Sequence, residues 1–123
     1  AERMSANVVR VADTVLIPVQ PSAADVWASA AAVKLIQSKL DVGGKIHAGF
    51  VATRISPQTK LSKEIMAGEW NEYGFPMLDA ALGNRVSYAQ SLSDGVTVFE
   101  TQDNNAKQEI NNLVKELERL GWL

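Results

Sequence analysis

The sequence predicts an α/β fold: a mainly parallel sheet with helices on both faces. Three observations lead there. Extended apolar runs alternate with helix-period stripes along the whole chain. The first run, Thr14–Val19 (TVLIPV), is aliphatic and β-branched without polar alternation, which suits a strand covered on both sides. Turn residues then lead from that run straight into a helix, as a βα unit requires.

Taken in order, Met4, Val8, Val9, Val11 and Ala12 form a loose helical stripe that ends at Asp13. Within the first strand, Pro18 cannot donate a ladder hydrogen bond, so it belongs near the strand's end or on an edge. Gln20 and Pro21 make a turn. Ser22 stands three residues before Asp25, a capping-box-like spacing, although Glu or Gln more often fills the last place. Val26, Ala30, Val33, Ile36 and Leu40 then give the apolar stripe of a helix over 23–40, which Gly43 and Gly44 close.

Residues 45–53 read as a second strand. Ser56-Pro57 or Thr59 opens the next helix, lined by Leu61, Ile65, Met66, Trp70 and Tyr73, and Gly74 with Pro76 stops it. Residues 75–78 read as a short third strand near an edge. A helix is expected over 85–93, with Asp94-Gly95 as its turn and 96–99 extended. Asp103 is expected to cap a last helix with the stripe Ile110, Leu113, Val114, Leu117 and Leu120, ended by Gly121.

Composition narrows the function classes. The 123 residues suffice for a single domain spanning 1–123 with one core. A net charge of −2 supplies no global attraction to nucleic acid or anionic lipid, so such binding needs a local basic patch. Cysteine is absent, which excludes thiolate nucleophiles and cysteine-held clusters and fits a cytoplasmic location. No apolar run approaches the ~20 residues of a membrane span. His47 is the only histidine and has no metal-ligand spacing around it, so a structural role is expected.

The segment VLIPVQPSAADVW (15–27) resembles the stretch after the second nucleotide motif of ParA-type ATPases, the deviant Walker enzymes of the ParA/MinD superfamily that segregate plasmids and chromosomes. FVATRISP (50–57), NRVSYA (84–89) and DGVTVFE (94–100) extend the likeness in the same order along nearly the whole chain. The small plasmid-borne members, without an extra amino-terminal DNA-binding domain, are most similar. The resemblance implies a partial P-loop-NTPase-like sheet and a carboxyl-terminal portion of a longer protein. Ala1 is not an initiator methionine, in keeping with that expectation.

A P-loop needs clustered glycines and a Lys-Ser/Thr pair between a strand and a helix. Only Gly43-Gly44-Lys45 comes near. Ile46 follows where Ser or Thr is required, and the run enters a strand instead of leaving one. The chain alone is therefore expected to be inactive, with ATP and magnesium bound only in the intact protein.

The resemblance implies that Thr53 and Arg54 meet the adenine, with Pro18, Gln20 and Pro21 as the neighbouring wall. Thr53 stands where Asn is common in the family, and one hydroxyl offers less than an amide's separate donor and acceptor. It also implies a homodimer whose interface lies near Asp25 and Trp27. Local sequence alone makes Asp25 a helix-capping acid, and leaves Trp27 open between core and interface.

Arg85 matches a basic residue linked in the family to non-specific DNA contact, with Lys60, Lys63, Lys107 and Lys115 as candidates for a basic face. Glu64, Glu109, Glu116 and Glu118 are interspersed, as on ordinary solvated surface. The expected partners are a second copy, a centromere-binding partition protein and nucleoid DNA. The last helix has a charge-balanced polar face, unlike the basic membrane helix of MinD. Two alternatives stand beside this reading: a self-associating module without ATPase activity, and another deviant Walker ATPase.

Overall fold

The computed structural model describes residues 2–68 and 74–123. Among these residues, five helices, α1 (Glu2–Val11), α2 (Ala23–Asp41), α3 (Lys60–Ala67), α4 (Val86–Asp94) and α5 (Asn104–Leu120), and three strands, β1 (Thr14–Val19), β2 (His47–Ile55) and β3 (Met77–Gly83), follow one another as α1-β1-α2-β2-α3-β3-α4-α5. The strands lie in the order β1-β2-β3, and both pairings are parallel. The α/β expectation therefore holds, with helices packed on both faces.

Strand alternation sends side chains to two separate cores. Ile17, Val19, Ala48, Phe50 and Ala52 point to one side and pack with Val9 of α1, Val33 and Ile36 of α2, and Ile65 of α3. Val51 and Leu78 point to the other, against Leu117 of α5, with Leu16, Leu82, Leu113 and Trp122 around them. β2, not β1, is the strand covered on both sides. Ile17 and Val19 are buried but Pro18 is exposed, because β1 is an edge strand. A proline is tolerated there for that reason.

Local chemistry explains where the helices begin and end. Ser22 Oγ accepts the Asp25 N–H at 3.1 Å, the expected cap of α2. Lys39 Nζ donates to the Val9 and Ala12 carbonyls, each at 2.9 Å, and so ties the end of α1 to α2. Thr59 caps α3 through the Ser62 N–H, which decides between the two possible starts. That helix ends at Ala67, with extended Gly68 as its cap. The placements expected for the Met4 side chain, Trp70 and Tyr73 lie outside the described residues.

Three further expectations are corrected. β3 runs to Gly83, well past Leu78, because α5 covers it and supplies partners to its backbone. Residues 96–99 are not extended. Val98–Glu100 form a 3-10 turn, held where the Thr97 N–H donates to Glu100 at 2.8 Å. In α5, Val114 and Leu120 are exposed while Ala106, Glu116 and Leu117 are buried, so the inward stripe is rotated from the purely apolar one.

The chain's end docks back on the sheet. Gly121, at φ 75°, reverses the backbone after α5, a conformation that costs other residues ~1–2 kcal/mol. Trp122 then stacks on His47 with ring centroids 5.5 Å apart and planes 12° from parallel. Its carbonyl accepts the Thr14 hydroxyl at 2.8 Å. His47 is thus a packing surface for an indole, in keeping with the structural role expected.

Candidate functional site at the strand tips

The carboxyl ends of the three parallel strands face the same way, and in open α/β sheets that margin is where ligands bind. Val19 of β1 is paired with Ala52 of β2. Gln20 and Thr53 follow this last pair, the first just beyond the end of β1 and the second still within β2. Thr53 is half-buried, whereas Gln20 and Arg54 are exposed. Pro18 precedes this margin on β1 and Pro21 continues it into the loop.

Arg54 has φ 52°, the only positive value among the described non-glycine residues. The register shows why. β2 advances from Ala52 to Ile55 while β3 advances only from Ala81 to Gly83, so a bulge falls on Thr53 and Arg54. Bulges re-aim side chains and recur beside functional sites, and left-handed non-glycine backbone costs ~1–3 kcal/mol. Beyond the bulge the Asn84 N–H donates to the Ile55 carbonyl at 3.0 Å and closes the β2 and β3 tips together.

At the β3 tip, a single carboxylate collects most of the polar groups. Glu109 of α5 accepts Arg85 Nε and Nη2, both at 3.1 Å, the Gly83 N–H at 3.0 Å and the Tyr88 hydroxyl at 2.7 Å. Arg85, expected as a DNA-contacting residue, has its planar fork engaged on this partner. Burial pushes the Glu109 carboxyl up, but the bonds from Arg85, Gly83 and Tyr88 outweigh it and hold its pKa below the ordinary value. Burial, then the bond to Glu109, raises the Tyr88 phenol well above 10.0. The hydrogen bond to Glu109 raises Arg85 further. Asp103 is lowered, first by the Ala106 N–H it caps and then by the Ser87 hydroxyl at 2.8 Å.

A folded-state carboxyl below its unfolded value stabilises the fold at neutral pH, and that contribution fades as pH falls through the folded value. Glu109→Gln is therefore expected to cost about 1–2 kcal/mol at pH 7, discounted for partial exposure. The cost should shrink steadily on acidification from pH 4.5, the ordinary glutamate value. Urea midpoints of both proteins across that range check this, and parallel pH profiles would contradict it.

The remaining expected site residues lie apart from this network. Asp25 is half-buried at the start of α2, and its carboxylate accepts the Gln20 N–H. Trp27 is 74% exposed, which removes it from the core. Lys60 and Lys63 are exposed on α3, the former 3.7 Å from Glu64. Lys115 is exposed on α5 and Lys107 half-buried. Sequence reading missed Glu109, Glu116 and Tyr88 as organisers. The available signal was two glutamates seven apart, hence two helical turns apart on one face, beside the apolar stripe.

The fold and its strand-tip margin define a partial P-loop-like α/β unit. The chain is 30% identical over 107 residues to the Maintenance of carboxysome distribution protein A of Halothiobacillus neapolitanus, a match covering 85% of this chain and 49% of that protein. The chain thus spans about half the length of the relative it matches. No protein-family model matches it. Among the described residues, no helix is long and apolar enough to cross a membrane.

Proposed function

We propose that this chain is the carboxyl-terminal portion of a ParA-like positioning ATPase. It supplies the adenine-side wall of the nucleotide site and part of the dimer surface, while the phosphate grip and the magnesium site belong to the amino-terminal half of the intact protein. The cargo is a plasmid, a chromosome or, as the relative's name says of that protein, a carboxysome. The observation that supports this reading is the Val19–Ala52 pairing, the last before Gln20 and Thr53, at the end of the sheet where open α/β folds bind ligands.

The residues fit a purine base. The Gln20 carboxamide donates and accepts, the Thr53 hydroxyl does either, and the bulge sets Arg54 at the same margin. Asp25 and Trp27 belong to the face that meets a second copy. Lys60 and Lys63 reach DNA phosphates non-specifically, and Arg85 joins them only by leaving Glu109. A cargo-bound adaptor, such as a centromere-binding protein, completes the set of partners, and the protein works in the cytoplasm on the nucleoid.

Titrating the intact protein with ATP and magnesium tests the proposal. Wild type is expected to bind, and Gln20→Ala with Thr53→Ala to bind roughly tenfold more weakly, the loss of one or two hydrogen bonds. No binding by wild type, or undiminished binding by the double variant, would refute it.

A further inference from the structure

We infer that Glu109 is a positioning residue that holds the Arg85 guanidinium away from DNA, so that a backbone phosphate reaches Arg85 only by taking the carboxylate's place. The inference rests on the DNA-contact reading above and concerns how that contact is restrained.

The bonds at the β3 tip carry it. The Gly83 N–H, Arg85 Nε and Nη2, and the Tyr88 hydroxyl all donate to the two Glu109 oxygens, over 2.7–3.1 Å. A backbone amide, a guanidinium fork and a hydroxyl are the donors that suit a phosphate. Here the chain's own carboxylate occupies them. The fit is close: a Cβ on Gly83 would stand 3.0 Å from Glu109 Oε2 and 3.2 Å from Arg85 Nε, so a side chain there would press on the pair.

The surroundings leave a duplex room but oppose it by charge. α3 and α4 begin beyond the ends of the neighbouring parallel strands β2 and β3, so Lys60, Lys63 and Arg85 belong to one margin of the sheet. The Arg85 side chain is 31% exposed and that of Glu109 19%, so the pair is accessible. Arg85 stands at the N-cap of α4 without capping it, and its side chain can swing away at no cost to the helix start. Glu109 and Asp103 both act on Arg85 through charge, which sets two carboxylates around one cation. That balance repels a polyanion until the Glu109 bond is given up.

The test is binding of the intact protein, with ATP and magnesium, to a labelled duplex of arbitrary sequence, followed by fluorescence anisotropy across a salt series. Glu109→Gln is expected to bind about five- to tenfold more tightly near 0.1 M salt, with a salt slope steeper by about 0.9, the mark of one added phosphate contact. Arg85→Ala should cost less than about twofold in wild type, where the fork is already engaged, but the whole gain in the Glu109→Gln background. Tyr88→Phe, which loosens the carboxylate without changing charge, should tighten binding in the same direction by a smaller factor.

Glu109→Gln binding no tighter than wild type would overturn the inference. Equal costs of Arg85→Ala in the two backgrounds would do so too, since simple addition of charges would then explain the gain. Where Glu109→Gln does not fold, Tyr88→Phe decides, and unchanged affinity there sinks the idea. Duplex binding by wild type that no variant tightens refutes only this restraint, whereas no binding by wild type or any variant refutes the DNA-contact reading as well.

Discussion

Phe50→Ala is expected to destabilise the fold by about 3–5 kcal/mol, the usual range for emptying a buried phenylalanine site. Phe50 is wholly buried in the middle of β2, the central strand. It is paired with Ile17 on one side and Met77 on the other, and faces the core shared with α1, α2 and α3. The strands around it are fixed by two parallel ladders, so the surroundings cannot easily collapse into the space left behind. Urea denaturation followed by circular dichroism measures the loss. Phe50→Leu should recover most of it, and a cost below about 1 kcal/mol for the alanine would show that this core is not close-packed.

The second large effect is expected at Glu116, which no apolar-stripe reading of α5 singles out. Its carboxylate accepts the Asp79 N–H at 2.8 Å and the Ala80 N–H at 2.7 Å, and the residue is 6% exposed. Successive amides of a regular strand point to opposite sides. Here they converge because β3 carries extra residues between the Phe50–Met77 and Ala52–Ala81 pairs. Glu116→Ala leaves both donors without a partner, at about 1–3 kcal/mol each. Glu116→Gln keeps one good acceptor and should fall between. Denaturation midpoints order the three proteins, and hydrogen exchange at Asp79 and Ala80 should speed up first in the alanine variant. Unchanged exchange there would contradict this role.

What the sequence revealed follows from which interactions are local. The caps at Ser22 and Asp103 involve partners three residues away, so residue type and spacing were enough to locate them. The α2 stripe was legible because burial of Val33 and Ile36 imposes its period, whereas the unalternating β1 run suggested a double coverage that belongs to β2. By contrast, the true extent of β3 depends on Glu109 and Glu116 arriving from α5, 26 and 37 residues further on. Composition cannot show such a partnership. The same holds for Arg85, whose charge reads as surface until Glu109 is set beside it, and for the 3-10 turn after Thr97, which a β-branched run disguises as a strand.

At the strand tips, the register that ends on Val19 and Ala52, just before Gln20 and Thr53, came from folding, not from either segment alone. The identity of Thr53 and Arg54 was readable, but the left-handed backbone of Arg54 was not. It arises from a mismatch in residue count between β2 and β3 that only their pairing exposes.

The two glutamates of α5 also give the sheet a polarity of assembly. On the β3 margin, a kinked backbone with amides already claimed by carboxylates offers no template for an incoming chain. On the β1 margin, no comparable lock is present among the described residues. Any further strand, whether supplied by the same polypeptide or by a misfolded neighbour, is thus directed to one flank. Enlargement and aggregation compete for that single berth.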